Sequence, residues 1–171
     1  HGPTKSLGGK SCVGCHASAA QSWAKSHHAM AMQKASEQSV LGDFGDRSFD
    51  YYGEMTRFVR DADAFVIETA GPDGNQARYE VQYTFGVAPL QQYLVETAPG
   101  RLQAFPIAWD ARPKAEGGQR WFHLQPDEHI RADDALHWTG PSYNWNNACA
   151  ACHSTDLAKG YDREAKRYRT T

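Results

Sequence analysis

The sequence predicts an α+β chain with an N-terminal helix, a central antiparallel β-sheet and an irregular C-terminal segment. Three observations predict it. Residues 16–36 are rich in alanine and contain no Gly or Pro, a composition that favours helix. Residues 48–110 carry period-two stretches bounded by turn signals, as half-buried strands do. Two copies of one short cysteine pattern lie outside that region, near opposite ends of the chain.

The helix is expected first. Ala20, Ala24, His28, Ala31 and Ala35 recur at helical spacing and make one small-residue face. Trp23, His27, Met30 and Lys34 lie on the neighbouring face. In the sheet, Phe58–Arg60 and Ala64–Thr69 flank the turn-like Asp61-Ala62-Asp63. Gly71-Pro72-Asp73-Gly74 is a strong turn signal. Tyr79–Phe85 alternates cleanly. Gln91–Glu96 and Leu102–Trp109 continue the series as a hairpin around Gly100, and Arg120–Leu124 follows a polar loop as a last strand. Beyond it the chain turns irregular and aromatic, through Trp138, Tyr143 and Trp145.

At 171 residues and 19.0 kDa the chain suits one domain. Hydrophobic residues at 40% argue against a disordered chain. No apolar run approaches the roughly 20 residues that cross a bilayer. A net charge of −2 lacks the basic footprint of a nucleic-acid binder.

The cysteines carry the chemistry. Cys12-Val13-Gly14-Cys15-His16 and Cys149-Ala150-Ala151-Cys152-His153 both read C-x-x-C-H, and no cysteine is left over. This is the attachment signature of c-type haem. Two thiols three positions apart form thioethers to one porphyrin edge, and the next imidazole becomes the proximal iron ligand. The motifs therefore predict two c-type haems, with covalent attachment at Cys12, Cys15, Cys149 and Cys152 and proximal ligands His16 and His153. The N-terminal helix and the C-terminal segment thus become haem-bearing. Other uses of the pattern fit less well. A thioredoxin-like pair does not need the following His. One Cys₄ zinc site would leave both histidines idle. Structural disulfides would more naturally link distant cysteines than close such short loops. The chain is read as a single dihaem domain over 1–171, with a first haem helix in 1–40, a β-rich insert in 45–125 and a second haem segment in 126–171.

Longer words extend the pattern. Beside the first motif stand Trp23 and Ser26-His27-His28, then Val40–Phe44. Further on come Tyr83-Thr84-Phe85-Gly86-Val87, Pro89–Leu94, Ala108–Pro113, Gly117–Leu124, Leu136–Gly140 and Asn144-Trp145-Asn146. With these words the chain resembles the N-terminal part of multihaem cytochromes c that often carry tetratricopeptide repeats downstream. The resemblance implies periplasmic or extracellular electron transfer. Members of that family usually continue past Thr170-Thr171 into a third C-x-x-C-H, so the chain is expected to be either a short relative or a piece of a longer protein.

The sixth iron position sets potential and reactivity. Candidates are His1, His27, His28, His123, His129 and His137, with Met30 and Met32 read as packing residues. On one straight helix His28 would lie about 18 Å from His16, whereas two axial nitrogens on one iron are about 4 Å apart. His28 would then serve the second haem, or a haem of a neighbouring subunit. It is preferred to His27 for its place on the alanine face and because the resemblance favours it. His137 precedes Gly140-Pro141 and is expected within reach of the haem on His153. His123, in a predicted strand, could reach the haem on His16. His129 is expected to be solvated, and His1 to be a plain terminus.

The expected function is electron transfer through two bis-His haems. The alternatives are a reductase of a small oxidised substrate with one open haem, or a subunit of a conductive haem filament. No catalytic residue is assigned. Expected partners are redox proteins or further haem-bearing subunits, with a homo-oligomer or filament left open, and no nucleic acid or membrane span. Because c-type haem is attached outside the cytoplasmic membrane, the chain is expected to be periplasmic or extracellular, with its signal peptide already removed.

Overall fold

The computed structural model describes residues 9–154 and 157–170, so His1 lies outside the described residues. Eleven strands and two short helices are present among them. The helices are α1 (Ala17–Ala24) and α2 (Ala150–His153). The strands are β1 (Met32–Lys34), β2 (Arg47–Tyr51), β3 (Glu54–Asp61), β4 (Ala64–Ala70), β5 (Gln76–Phe85), β6 (Leu90–Ala98), β7 (Arg101–Ala104), β8 (Ile107–Asp110), β9 (Arg120–His123), β10 (Tyr161–Asp162) and β11 (Arg167–Tyr168).

The first nine strands form one antiparallel sheet. Its main path runs β2-β3-β4-β5-β6-β8-β9, with β1 added beside β5 and β7 beside β6. The two ends, β2 and β9, approach each other, so the sheet curls into a nearly closed barrel. They meet through side chains, with Tyr51 and His123 stacked at 3.8 Å between ring centroids.

This corrects the α+β expectation: the molecule is mostly β. The long helix predicted over 16–36 stops at Ala24. Ser26 Oγ donates to the Trp23 carbonyl at 2.6 Å, a local bond that competes with helical continuation. Downstream, Met32–Lys34 pair with Phe85, Thr84 and Tyr83 of β5. Tertiary pairing there overrides the helix propensity of the alanines.

The sheet follows its sequence signals closely. The Asp61–Asp63 turn joins β3 to β4, and Gly71–Gly74 joins β4 to β5. The long apolar run 102–109 is instead divided in two at Phe105-Pro106, because Pro supplies no ladder donor. The barrel core is aromatic. Phe58 and Trp121 stack in parallel at 3.6 Å, and Phe44 stands edge-on to Phe58, Phe65, Tyr93 and Trp121. Burying such side chains contributes about 1.5–3 kcal/mol each. None of the residues of either C-x-x-C-H motif belongs to this core.

Candidate haem attachment sites

The first motif forms a tight turn. A 3₁₀ turn covers Gly9–Cys12, and the amides of Cys15 and His16 both donate to the Cys12 carbonyl, at 3.2 and 3.0 Å. This turn carries Cys12, Cys15 and His16 directly into α1. Both thiols are free and exposed. α1 itself has no buried residue, and Trp23 is 62% exposed. Eight residues of helix without a packed face fall below the length that is stable in water alone. A flat apolar group on the small-residue face would supply the missing contact.

The second motif is bolted to the barrel. A π-helical turn, Trp145–Cys149, leads into α2. Asn144 Oδ1 accepts from the Asn147 amide at 3.0 Å, while its Nδ2 donates to Gln103 Oε1 at 3.0 Å. Asn146 Oδ1 accepts from the Leu102 amide at 2.8 Å, and its Nδ2 donates to the Gly100 carbonyl and to Thr170 Oγ1. The two asparagines tie the motif to the β6–β7 hairpin. Between them Trp145 is buried, in a cluster with Leu94, Ala104 and Ala150. Met32, Phe85, Cys149 and Leu157 are half-buried against it. Burial pushes the Cys149 thiol above its ordinary pKa, with a smaller contribution from Cys152. Cys152 and His153 are exposed.

The segment before β1 and the end of α2 both meet the last residues of β5. The Gly86 amide donates to the Ala31 carbonyl at 2.7 Å, so the segment that carries His27 and His28 is held beside Phe85. The Phe85 ring in turn meets the His153 imidazole edge-on, at 5.0 Å and 77°. His28 lies on an exposed turn three residues before Ala31. The premise of one straight helix from His16 to His28 no longer holds, because α1 ends before His28.

His123 and His137 lie elsewhere. Both are nearly buried, at 5% and 6% exposure. They line a cavity of about 40 Å³ at one end of the barrel, together with Tyr51, Glu54, Thr56, Thr69 and Tyr143. No residue of either C-x-x-C-H motif lines it. His123 Nδ1 accepts from the Gln125 amide at 3.1 Å. The neutral ring therefore carries its proton on Nε2 and has no free lone pair for a metal. His137 Nδ1 pairs with Thr139 Oγ1 at 2.8 Å. His129 stacks on Tyr52 at 4.6 Å on the surface.

The described residues contain no cluster of three or more His, Cys, Asp or Glu able to hold a metal ion. That leaves a shared Cys₄ zinc site without support, and all four cysteines are free thiols rather than disulfides. Phe85, Asn144 and Asn146 escaped sequence reasoning as positioning residues. The paired asparagines around Trp145, just before a haem motif, were the available signal.

A family model described as cytochrome c554 and c-prime matches residues 11–44. The match is to cytochromes c. It covers the first C-x-x-C-H, α1, the His27-His28 turn and β1. It supports covalently held c-type haem and electron transfer through that haem, which is consistent with a carrier rather than an enzyme. No curated protein and no solved structure matches the chain. Among the described residues no helix is long and apolar enough to cross a membrane.

Proposed function

We propose that the chain is a periplasmic or extracellular electron carrier with two c-type haems. Cys12 and Cys15 hold one, Cys149 and Cys152 the other, and His16 and His153 are the proximal iron ligands. The multihaem resemblance belongs to this reading. Haem bound at these positions supplies one-electron transfer between ferric and ferrous iron. The chain's own residues provide attachment, axial ligation and apolar cover.

One observation carries the reading. Four free thiols are arranged as two C-x-x-C-H turns outside the barrel core, each followed at once by an exposed imidazole. The donor set suits thioether attachment, and the bare face of α1 suits a flat apolar partner. For the sixth positions His28 is the favoured candidate, serving the haem on His153. It lies three residues from the Ala31–Gly86 bond, at the strand end that meets His153. His137 is the next candidate. His123 ranks last because it is buried and its Nδ1 lone pair already accepts the Gln125 amide.

Intact mass and a haem assay on the mature protein test the count. Two haems per chain are expected, and one in the double variant Cys149→Ala/Cys152→Ala. A native protein holding a single haem would overturn the reading.

A further inference from the structure

We propose that Phe85 is the positioning residue for the His153 imidazole, holding its plane from the end of β5. The proposal rests on the two-haem reading and adds to it the group that orients one axial ligand. Metal-bound histidines are usually oriented by a second contact, most often a hydrogen bond from the other ring nitrogen. Among the described residues no hydrogen bond reaches the His153 ring, and its one ring contact is Phe85. The contact has the edge-to-face geometry that aromatic quadrupoles prefer.

The two partners differ in restraint. His153 closes a four-residue helix and is exposed, so its own turn does little to hold its ring. Phe85 is paired through its backbone on both sides, with Met32 of β1 and Gln92 of β6. Its side chain is half-buried against the cluster of Leu94, Trp145 and Ala150. The rigid ring therefore orients the free one. His16 has no aromatic contact among the described residues, so the two attachment sites are unequal. The site at His153 has an imposed ligand plane and apolar cover, and the site at His16 has neither from Phe85.

The test uses the haem-loaded protein, native and as Phe85→Leu and Phe85→Tyr. Electron paramagnetic resonance of the ferric state reads the axial imidazole planes, and a potentiometric titration reads each midpoint. In Phe85→Leu the g-values of one low-spin haem shift and one of the two midpoints falls, because lost apolar cover admits water that favours the more charged ferric state. The other haem is unchanged. Phe85→Tyr keeps the ring and the native signals. Phe85→Met, which keeps apolar volume without a ring, gives the same g-shift as Leu and replaces it if that variant does not fold. Native g-values and midpoints in both ring-less variants would overturn the proposal, as would equal changes at both haems. Mass analysis of the Cys149–Cys152 peptide separates the two levels. Absence of haem there removes the two-haem reading and Phe85's role together, whereas haem present with unchanged spectra removes only the latter.

Discussion

Single polar side chains hold the parts of this molecule in register. Gln91 is the clearest case. It is fully buried on β6, and its Nε2 donates to the Ser39 and Gly86 carbonyls at 2.9 and 3.1 Å. Its Oε1 accepts from the Leu41 amide and from Tyr93 Oη. Gln91→Leu would take this partner from the Ser39 and Gly86 carbonyls and from the Leu41 amide, while Tyr93 Oη keeps the Gly42 amide. Each unsatisfied buried group costs about 1–3 kcal/mol, so we expect a loss of at least about 3 kcal/mol. Urea unfolding checks this, as a lower midpoint with an unchanged slope. A midpoint within error of the native one would show that water replaces the side chain freely. The sequence showed Gln91 as the start of a predicted strand and as part of a long family-like word, not as a hub of buried hydrogen bonds. Two of its partners, Ser39 and Leu41, are 52 and 50 positions away, and no local pattern encodes such contacts.

At the scale of elements, two junctions matter. The first is where β1 docks on β5 and the chain then turns at Gly86. Gly86 has φ of +86°, and a Cβ there would lie 2.8 Å from the Leu90 carbonyl oxygen. Gly86→Ala should therefore destabilise by about 1–3 kcal/mol. It should also loosen the Ala31–Gly86 bond, read as faster hydrogen exchange at the Gly86-position amide than in the strands β3 and β4. Equal protection at both would refute the link between that turn and the N-terminal segment. The second junction is the seam between β2 and β9, where His123 and nearby His137 are buried. Burial pushes both below the ordinary histidine value near 6.5. At His123 the Gln125 N–H donated to Nδ1 also favours the neutral ring, whereas the Glu54 and Asp134 carboxylates act against the shift at His137. A folded pKa below the unfolded one means that protonation favours the unfolded chain. Their contribution is complete above about pH 6.5 and lost as pH falls below it. A series of melts from pH 7.5 to 5 should show the native protein losing stability over that window, and His123→Gln losing less. Parallel curves for the two proteins would assign the acid sensitivity to other groups.

For the whole molecule, the barrel and the first C-x-x-C-H segment are separable in stability, whereas the second C-x-x-C-H packs on β6 and β7 through Ala150. The aromatic core around Phe44, Phe58 and Trp121 contains no motif residue, whereas α1 has no buried residue at all. A variant with all four cysteines changed to alanine should keep the β signal in circular dichroism and melt cooperatively. The helical signal of α1 should be lost, since a short unpacked helix is unstable in water. A variant without cooperative melting would mean that haem binding is needed to fold the barrel itself. Added haem propionates would also make the surface more acidic than the net −2 of the polypeptide.

The sequence by itself carries the expected attachment chemistry and places most strands. The C-x-x-C-H words are local, because thioether spacing and the adjacent imidazole involve five consecutive residues. Turn signals such as Gly71–Gly74 and the alternation of Tyr79–Phe85 are local as well, and the strands lie where these signals place them. Only the tertiary structure decided the fold class. Local composition favours helix across residues 32–34, but pairing with β5 wins there. It also decided which histidines are buried and which are exposed. The order along the chain placed His137 close to His153, whereas the fold buries His137 in the barrel cavity and brings the His28 segment to Phe85. Such proximities depend on where the sheet curls and which strand ends meet. That geometry arises from the sum of many long-range pairings rather than from any segment read alone.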